Sequence, residues 1–117
     1  MEKLRIYQAG LILIQEIYLL INKNRQLRSD YSLADQLKRA AVSVLANIAE
    51  GYGQTIKQNK RYLQIASGSA NEVVALLQVV EVVYLIETGQ FQEKFRVLGK
   101  QINSFSKTLK PKPTTDR

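Results

Sequence analysis

The sequence predicts an all-α chain, an antiparallel up-down-up-down four-helix bundle, from three observations. Apolar residues recur at spacings of three and four rather than two, no tight turn separates alternating apolar runs, and the interruptions between apolar stretches are short, which makes consecutive helices antiparallel neighbours. With 117 residues, 45% of them hydrophobic and 23% charged, the chain is sized for one domain around one core.

The first helix runs from about Lys3 to Lys23, with Leu4, Tyr7, Leu11, Ile14, Tyr18 and Ile21 at helical spacing, and the polar stretch NKNRQLRSD, 22–30, ends it. The second begins near Ser32, where Ser32 and Asp35 form a capping-box-like pair, and stops at Gly51. The third opens with a capping box, Thr55 and Gln58, and runs to a break at Glu87, Thr88 and Gly89, giving the span 55–87. Thr88 then caps the fourth, 89–110, marked by Phe91, Phe95, Leu98, Ile102, Phe105 and Leu109. Pro111 and Pro113 terminate it and leave residues 111–117 as a flexible basic tail beyond a bundle of residues 1–110.

Composition removes most catalytic chemistry. There is no Cys and no His, so thiolate nucleophiles, imidazole bases and the common zinc and haem ligand sets are missing. The stretch NIAEGYG, 47–53, has the look of a phosphate-binding loop, but it closes a helix instead of opening one, and Ile56 stands where GxGxxG needs its third glycine. Gly51 is expected as a left-handed helix stop, with Gly53 easing the turn. Asn47 and Glu50 lie on one polar stripe with Arg39 and Ser43; a lone carboxylate makes neither an acid/base pair nor a metal site, so a structural role is expected, with Asn47 or Glu50 accepting bonds from loop or neighbouring-chain amides. No enzyme activity, cofactor or metal is expected. Neither a cleavable leader nor an uninterrupted run of about 20 apolar residues is present, and the expectation is a cytoplasmic protein without a membrane partner.

RAAVSVLANIAEGYG (39–53), YLQIASGSANEV (62–73) and the turn ETGQF (87–91) resemble the four-helix-bundle proteins first noticed as reading frames in intervening sequences of bacterial large-subunit ribosomal RNA genes, a family similar to Avd, the accessory protein of diversity-generating retroelements. The likeness covers nearly the whole chain and departs at Leu45, where many members carry Pro. It implies a homopentameric ring of bundles, nucleic-acid binding and, for Avd, association with a reverse transcriptase.

The residues themselves point to two kinds of surface. The net charge of +7 is uneven: residues 1–61 hold ten Lys/Arg against five acids, 62–93 hold four acids and no base, and 94–117 hold seven bases against one acid. On the fourth helix Arg96, Lys100, Lys107 and Lys110 form one stripe opposite the phenylalanines. In the expected topology its end returns to the pole carrying Lys3, Arg5, Lys57, Lys60 and Arg61, a cation cluster suited to RNA or DNA phosphates; a plainly solvated face and an acidic protein or lipid partner are the alternatives. Tyr52 and Tyr62 either stack on bases there or sit at the core boundary. A second group, Lys23, Arg25, Arg28, Lys38 and Arg39, is diluted by Asp30 and Asp35. The third helix is apolar around most of its circumference from Val73 to Ile86, as is the first from Leu11 to Ile21, which argues for self-association through residues such as Val73, Val74, Leu77 and Val80, with burial of the long helix by its own chain as the alternative. The expected function is a small non-enzymatic homo-oligomeric scaffold binding nucleic acid; the alternatives are an Avd-like accessory subunit of a reverse transcriptase and a structural oligomer with no nucleic-acid role.

Overall fold

The computed structural model describes residues 1–111. It consists of five helices, α1 Glu2–Lys23, α2 Arg25–Ser29, α3 Tyr31–Gly51, α4 Ile56–Tyr84 and α5 Gly89–Thr108, and no strand occurs among the described residues. The basic tail expected at 111–117 falls, after Pro111, outside them. The longest helix, α4, packs along α3 on one side and α5 on the other, and α1 closes against α3 and α5. Val73, Leu77 and Val80 of α4 are completely buried, as are Ile17, Leu37 and Ile102 from the other three long helices; each such side chain contributes about 1.5–3 kcal/mol when taken out of water.

The short α2 was illegible in the sequence because its single apolar residue shows no period. Leu27 is nevertheless fully buried, and the turn around it satisfies carbonyls left open at the end of α1. Asn24 donates from Nδ2 to the Leu20 carbonyl at 2.8 Å, and the Arg28 guanidinium donates to the Asn22 carbonyl at 2.7 Å. The next helix then starts earlier than Ser32: Asp30 is the cap, its carboxylate accepting the Leu33 N–H at 3.1 Å. Ser32 accepts from Gln36 instead, and Asp35 pairs with Arg39 at 2.8 Å. α3 continues unbroken through Leu45, whose side chain lies against Gly10; a β-carbon on Gly10 would come within 2.8 Å of Leu45 Cδ2, so the missing side chain is what lets α1 approach α3 so closely.

Thr55 and Gln58 form the expected reciprocal capping box. The other end of α4 differs from expectation. The helix stops at Tyr84, and Leu85 takes a left-handed conformation with φ 57°. Thr88 causes the stop: although it precedes α5, its side chain caps nothing there and folds back under α4. Its hydroxyl lies 3.0 Å from Glu81 Oε1 and 3.2 Å from the Leu77 carbonyl, its N–H donates to the same Glu81 oxygen at 2.8 Å, and Gln92 donates to its Oγ1. At the far end α5 stops at Thr108, two residues short of 110, because the residue preceding Pro111 is disfavoured in helical geometry.

Val73, Val74, Leu77 and Val80, expected at an interface, are buried within the chain. Side chains at these positions face α4's own neighbours, so they leave nothing for a second copy to cover. The apolar residues left outside on α4 are Ile65, Val79, Val82 and Val83, and on α1 Leu4, Leu11, Ile12 and Leu19. Both helices are long and apolar enough, by length and composition, to cross a membrane. A count of uninterrupted apolar residues passes over them, and their inward sides supply core residues such as Ile17 and Val73.

Two half-buried carboxylates hold chain reversals, Asp30 between α2 and α3 and Glu81 between α4 and α5. The Tyr84 hydroxyl donates to Asp30 at 2.7 Å, and this bond with that from the Leu33 N–H holds the Asp30 carboxyl below its ordinary range. Bonds from the Thr88 N–H and hydroxyl do the same for Glu81. Groups with depressed folded-state values stabilise fully above the ordinary carboxylate range of about 4 and lose that contribution as pH falls through the lower folded values. Urea midpoints measured across pH 7 to 2 should therefore drop below about pH 4. Asp30→Asn with Glu81→Gln should be less stable at neutral pH and show a flatter acid limb.

Candidate nucleic-acid interface

The site is built around the turn joining α3 to α4. Gly51 is still helical and buried there, not left-handed as expected; the positive φ, 80°, belongs to Gly53. Gly51 is needed for space: a β-carbon on it would collide with Asn59 Oδ1 and stand 3.2 Å from Tyr62 Cβ. The Asn59 oxygen is buried with no hydrogen-bond partner among the described residues. Asn47 does not accept from a loop amide as expected; its Nδ2 donates to the Ser43 carbonyl and hydroxyl at 2.8 and 3.0 Å, and Ser43 meets Ser69 across the α3/α4 interface at 2.9 Å. Asn47 thus steadies α3, while Glu50 is exposed.

This turn starts α4 with Lys57, Lys60 and Arg61, all exposed, and no acid in the first turn. Cations at a helix N-terminus oppose the macrodipole and are unfavourable for the isolated helix; here they add to its positive end. α5 runs back along α4 with Gly99 against Ala70 and Ser67. At about 1.5 Å per residue in opposite directions, Lys107 comes level with Lys60 and Arg61, and Lys110 follows just beyond. From the other side Lys3 of α1 places its ammonium 4.6 Å from the centroid of the Tyr52 ring, and burial pushes its pKa down. The acids at this pole are Glu2, 3.7 Å from Arg5, and Glu50. Among the described residues Lys57, Lys60, Arg61, Lys107 and Lys110 have no carboxylate within 4.0 Å.

Arg96 and Lys100 lie away from the pole, in a groove of about 450 Å³ between α4 and α5 that also takes in Ser67, Asn71, Gln78 and Asn103. Gly99 forms part of its lining, where a larger side chain would narrow it. Arg96 is partly committed to its own helix, donating to Gln92 at 3.3 Å and standing 3.5 Å from Glu93. The groove and the pole form one basic track of about 16 Å from Arg96 to Lys107, long enough for several phosphates. Asn71, Gln78 and Asn103 were missed in the sequence, since amides on a wet helix face carry no signal until a neighbour makes a groove of them. The second basic group is less available: Arg39 is paired with Asp35, Arg28 is bound to a carbonyl, and Lys38 sits 5.1 Å over the Tyr18 ring. Tyr62 is half-buried behind Gly51, whereas Tyr52 is 75% exposed. No group of three or more acids converges among the described residues.

Residues 2–110, spanning every helix, match the 23S rRNA-intervening sequence protein family. The chain belongs to that family. No curated protein and no solved structure matches it. The family match takes in the α3/α4 turn, the groove and the whole basic pole, and it ends at Lys110.

Because space and not backbone conformation makes Gly51 necessary, Gly51→Ala should cost about 1–3 kcal/mol through overpacking. Asn59→Ala in the same chain should recover part of that loss in urea unfolding, since the Asn59 oxygen is what the new methyl meets. Additive losses would mean that the two positions do not touch.

Proposed function

We propose that the four long helices form an up-down-up-down bundle that assembles into a homo-oligomeric ring, a pentamer by family resemblance, and that this non-enzymatic scaffold binds RNA or DNA through backbone phosphates. The observation that supports it best is the pole at which Lys57, Lys60, Arg61, Lys107 and Lys110 stand without nearby described carboxylates on the positive end of α4. Contacts of this kind are to phosphate and carry little sequence information. Each phosphate neutralised lowers log K by about 0.7–0.9 per tenfold rise in salt. Lys60→Glu with Lys107→Glu should abolish retention of an oligonucleotide in a gel shift at low salt while leaving the circular dichroism spectrum unchanged. Equal retention by this variant and the parent would overturn the reading.

The ring is supported by apolar surface that the chain leaves uncovered, Val79, Val82 and Val83 at 44%, 78% and 55% exposure. Replacing Val82 and Val83 by Ser should lower the mass measured by light scattering to that of the monomer without loss of helix. The same uncovered surface favours a second reading, an Avd-like accessory subunit that docks on a reverse transcriptase; co-purification with that enzyme, lost in the same valine variant, would select it.

A further inference from the structure

We infer that the pocket between the first turns of α1 and the end of α3 receives an unstacked base, which makes single-stranded nucleic acid the ligand class of the basic pole. The inference rests on the phosphate-binding reading above and adds to it a site that reads a flat ring. The pocket has a volume of about 360 Å³ and is lined by Met1, Lys3, Leu4, Tyr7, Ile48, Ala49 and Tyr52. That is near the lower end of the range of about 300–1,000 Å³ for small-molecule sites, enough for one heterocycle and too small for a docking helix. Its walls are almost wholly apolar, with an aromatic face exposed at Tyr52 and Leu4 half exposed opposite the core residue Ile48.

The surroundings decide which flat ring fits. An apolar slot alone would suit many ligands, but this one has a cation in its wall, Lys3 over the Tyr52 ring at 4.6 Å, and the chain runs on from Tyr52 into α4, whose opening turns carry Lys57 and Lys60. A ligand that couples an aromatic ring to a chain of negative charges matches both features. In a duplex the π-faces are occupied by stacking, so only an unpaired strand or loop offers one. As the base takes its place on Tyr52, the ammonium of Lys3 moves from the ring to the adjacent phosphate and exchanges a cation–π contact for a charge-assisted one. The lining presents no amide pair to read base edges, so binding is tolerant of base identity.

Three probes of equal length test this by fluorescence anisotropy at fixed salt: an oligothymidylate strand, the same backbone without bases, and the strand paired with its complement. The base-bearing single strand should bind about tenfold or more tightly than the abasic strand, as stacking on one aromatic side chain implies, and more tightly than the duplex. Tyr52→Ala should erase the difference between the first two probes without changing the salt slope, and Tyr52→Phe should keep it. Ala49→Leu, which fills the pocket from an exposed helical position, should erase it too. Tyr52 is exposed, so its truncation leaves the core intact. Equal affinity for base-bearing and abasic strands, or a preference for duplex, overturns the base pocket while leaving phosphate binding in place. Failure of all three probes to bind at low salt overturns both.

Discussion

The burial of α4 along two sides governs the rest of the molecule. Leu63, Ala66, Ala70, Val73, Leu77 and Val80 form its buried line, and a helix of 29 residues can hide such a line only if long partners lie along it on both sides. α3 and α5 supply those sides, and Ala66 and Ala70 are completely buried between them. α1 then seals the opening between α3 and α5, with Gly10 bringing it against Leu45. Everything at the basic pole is positioned by this packing, because the chain reversals at both ends of α4 determine which helix termini meet.

Those reversals are made in different ways. At the α3/α4 end the chain uses local devices: a glycine with positive φ, a capping box, and a glycine whose missing side chain makes room for Asn59 and Tyr62. At the α4/α5 end no glycine occupies the left-handed position. Leu85 takes it, a conformation that costs a bulky residue about 1–2 kcal/mol, and the Glu81, Thr88 and Gln92 bonds hold it there. Bonds from the Thr88 N–H and then its hydroxyl also lower the Glu81 carboxyl's pKa, so this corner depends on ionisation in a way the other does not.

The pole presents the opposite balance. Three cations on the opening turns of α4 work against the macrodipole and against one another, and α5 brings Lys107 beside them. Such an arrangement is poor for stability of the free chain and favourable for attracting a polyanion. The groove that extends it is lined by Asn71, Gln78 and Asn103 together with Gly99.

Helical spacing, the Thr55/Gln58 cap and the proline stop were all local facts, so the sequence by itself determined the four long helices, the Thr55 start of α4 and the cations that would share a pole. It also carried the resemblance to the family that residues 2–110 match. It mistook Ser32 for a cap that Asp30 provides, read Gly51 as a left-handed stop, ran α4 on to residue 87, and put Val73, Val74, Leu77 and Val80 on the outside. In each case a residue's partner lies on another element: Tyr84 reaches back to Asp30, Asn59 crowds Gly51, Thr88 folds under α4, and α3 and α5 cover the valines. The base pocket is of the same kind, since Lys3 and Tyr52 are 4.6 Å apart in space and far apart in the chain. Spacing along one helix reports what faces inward, but only packing between helices decides which inward faces remain uncovered.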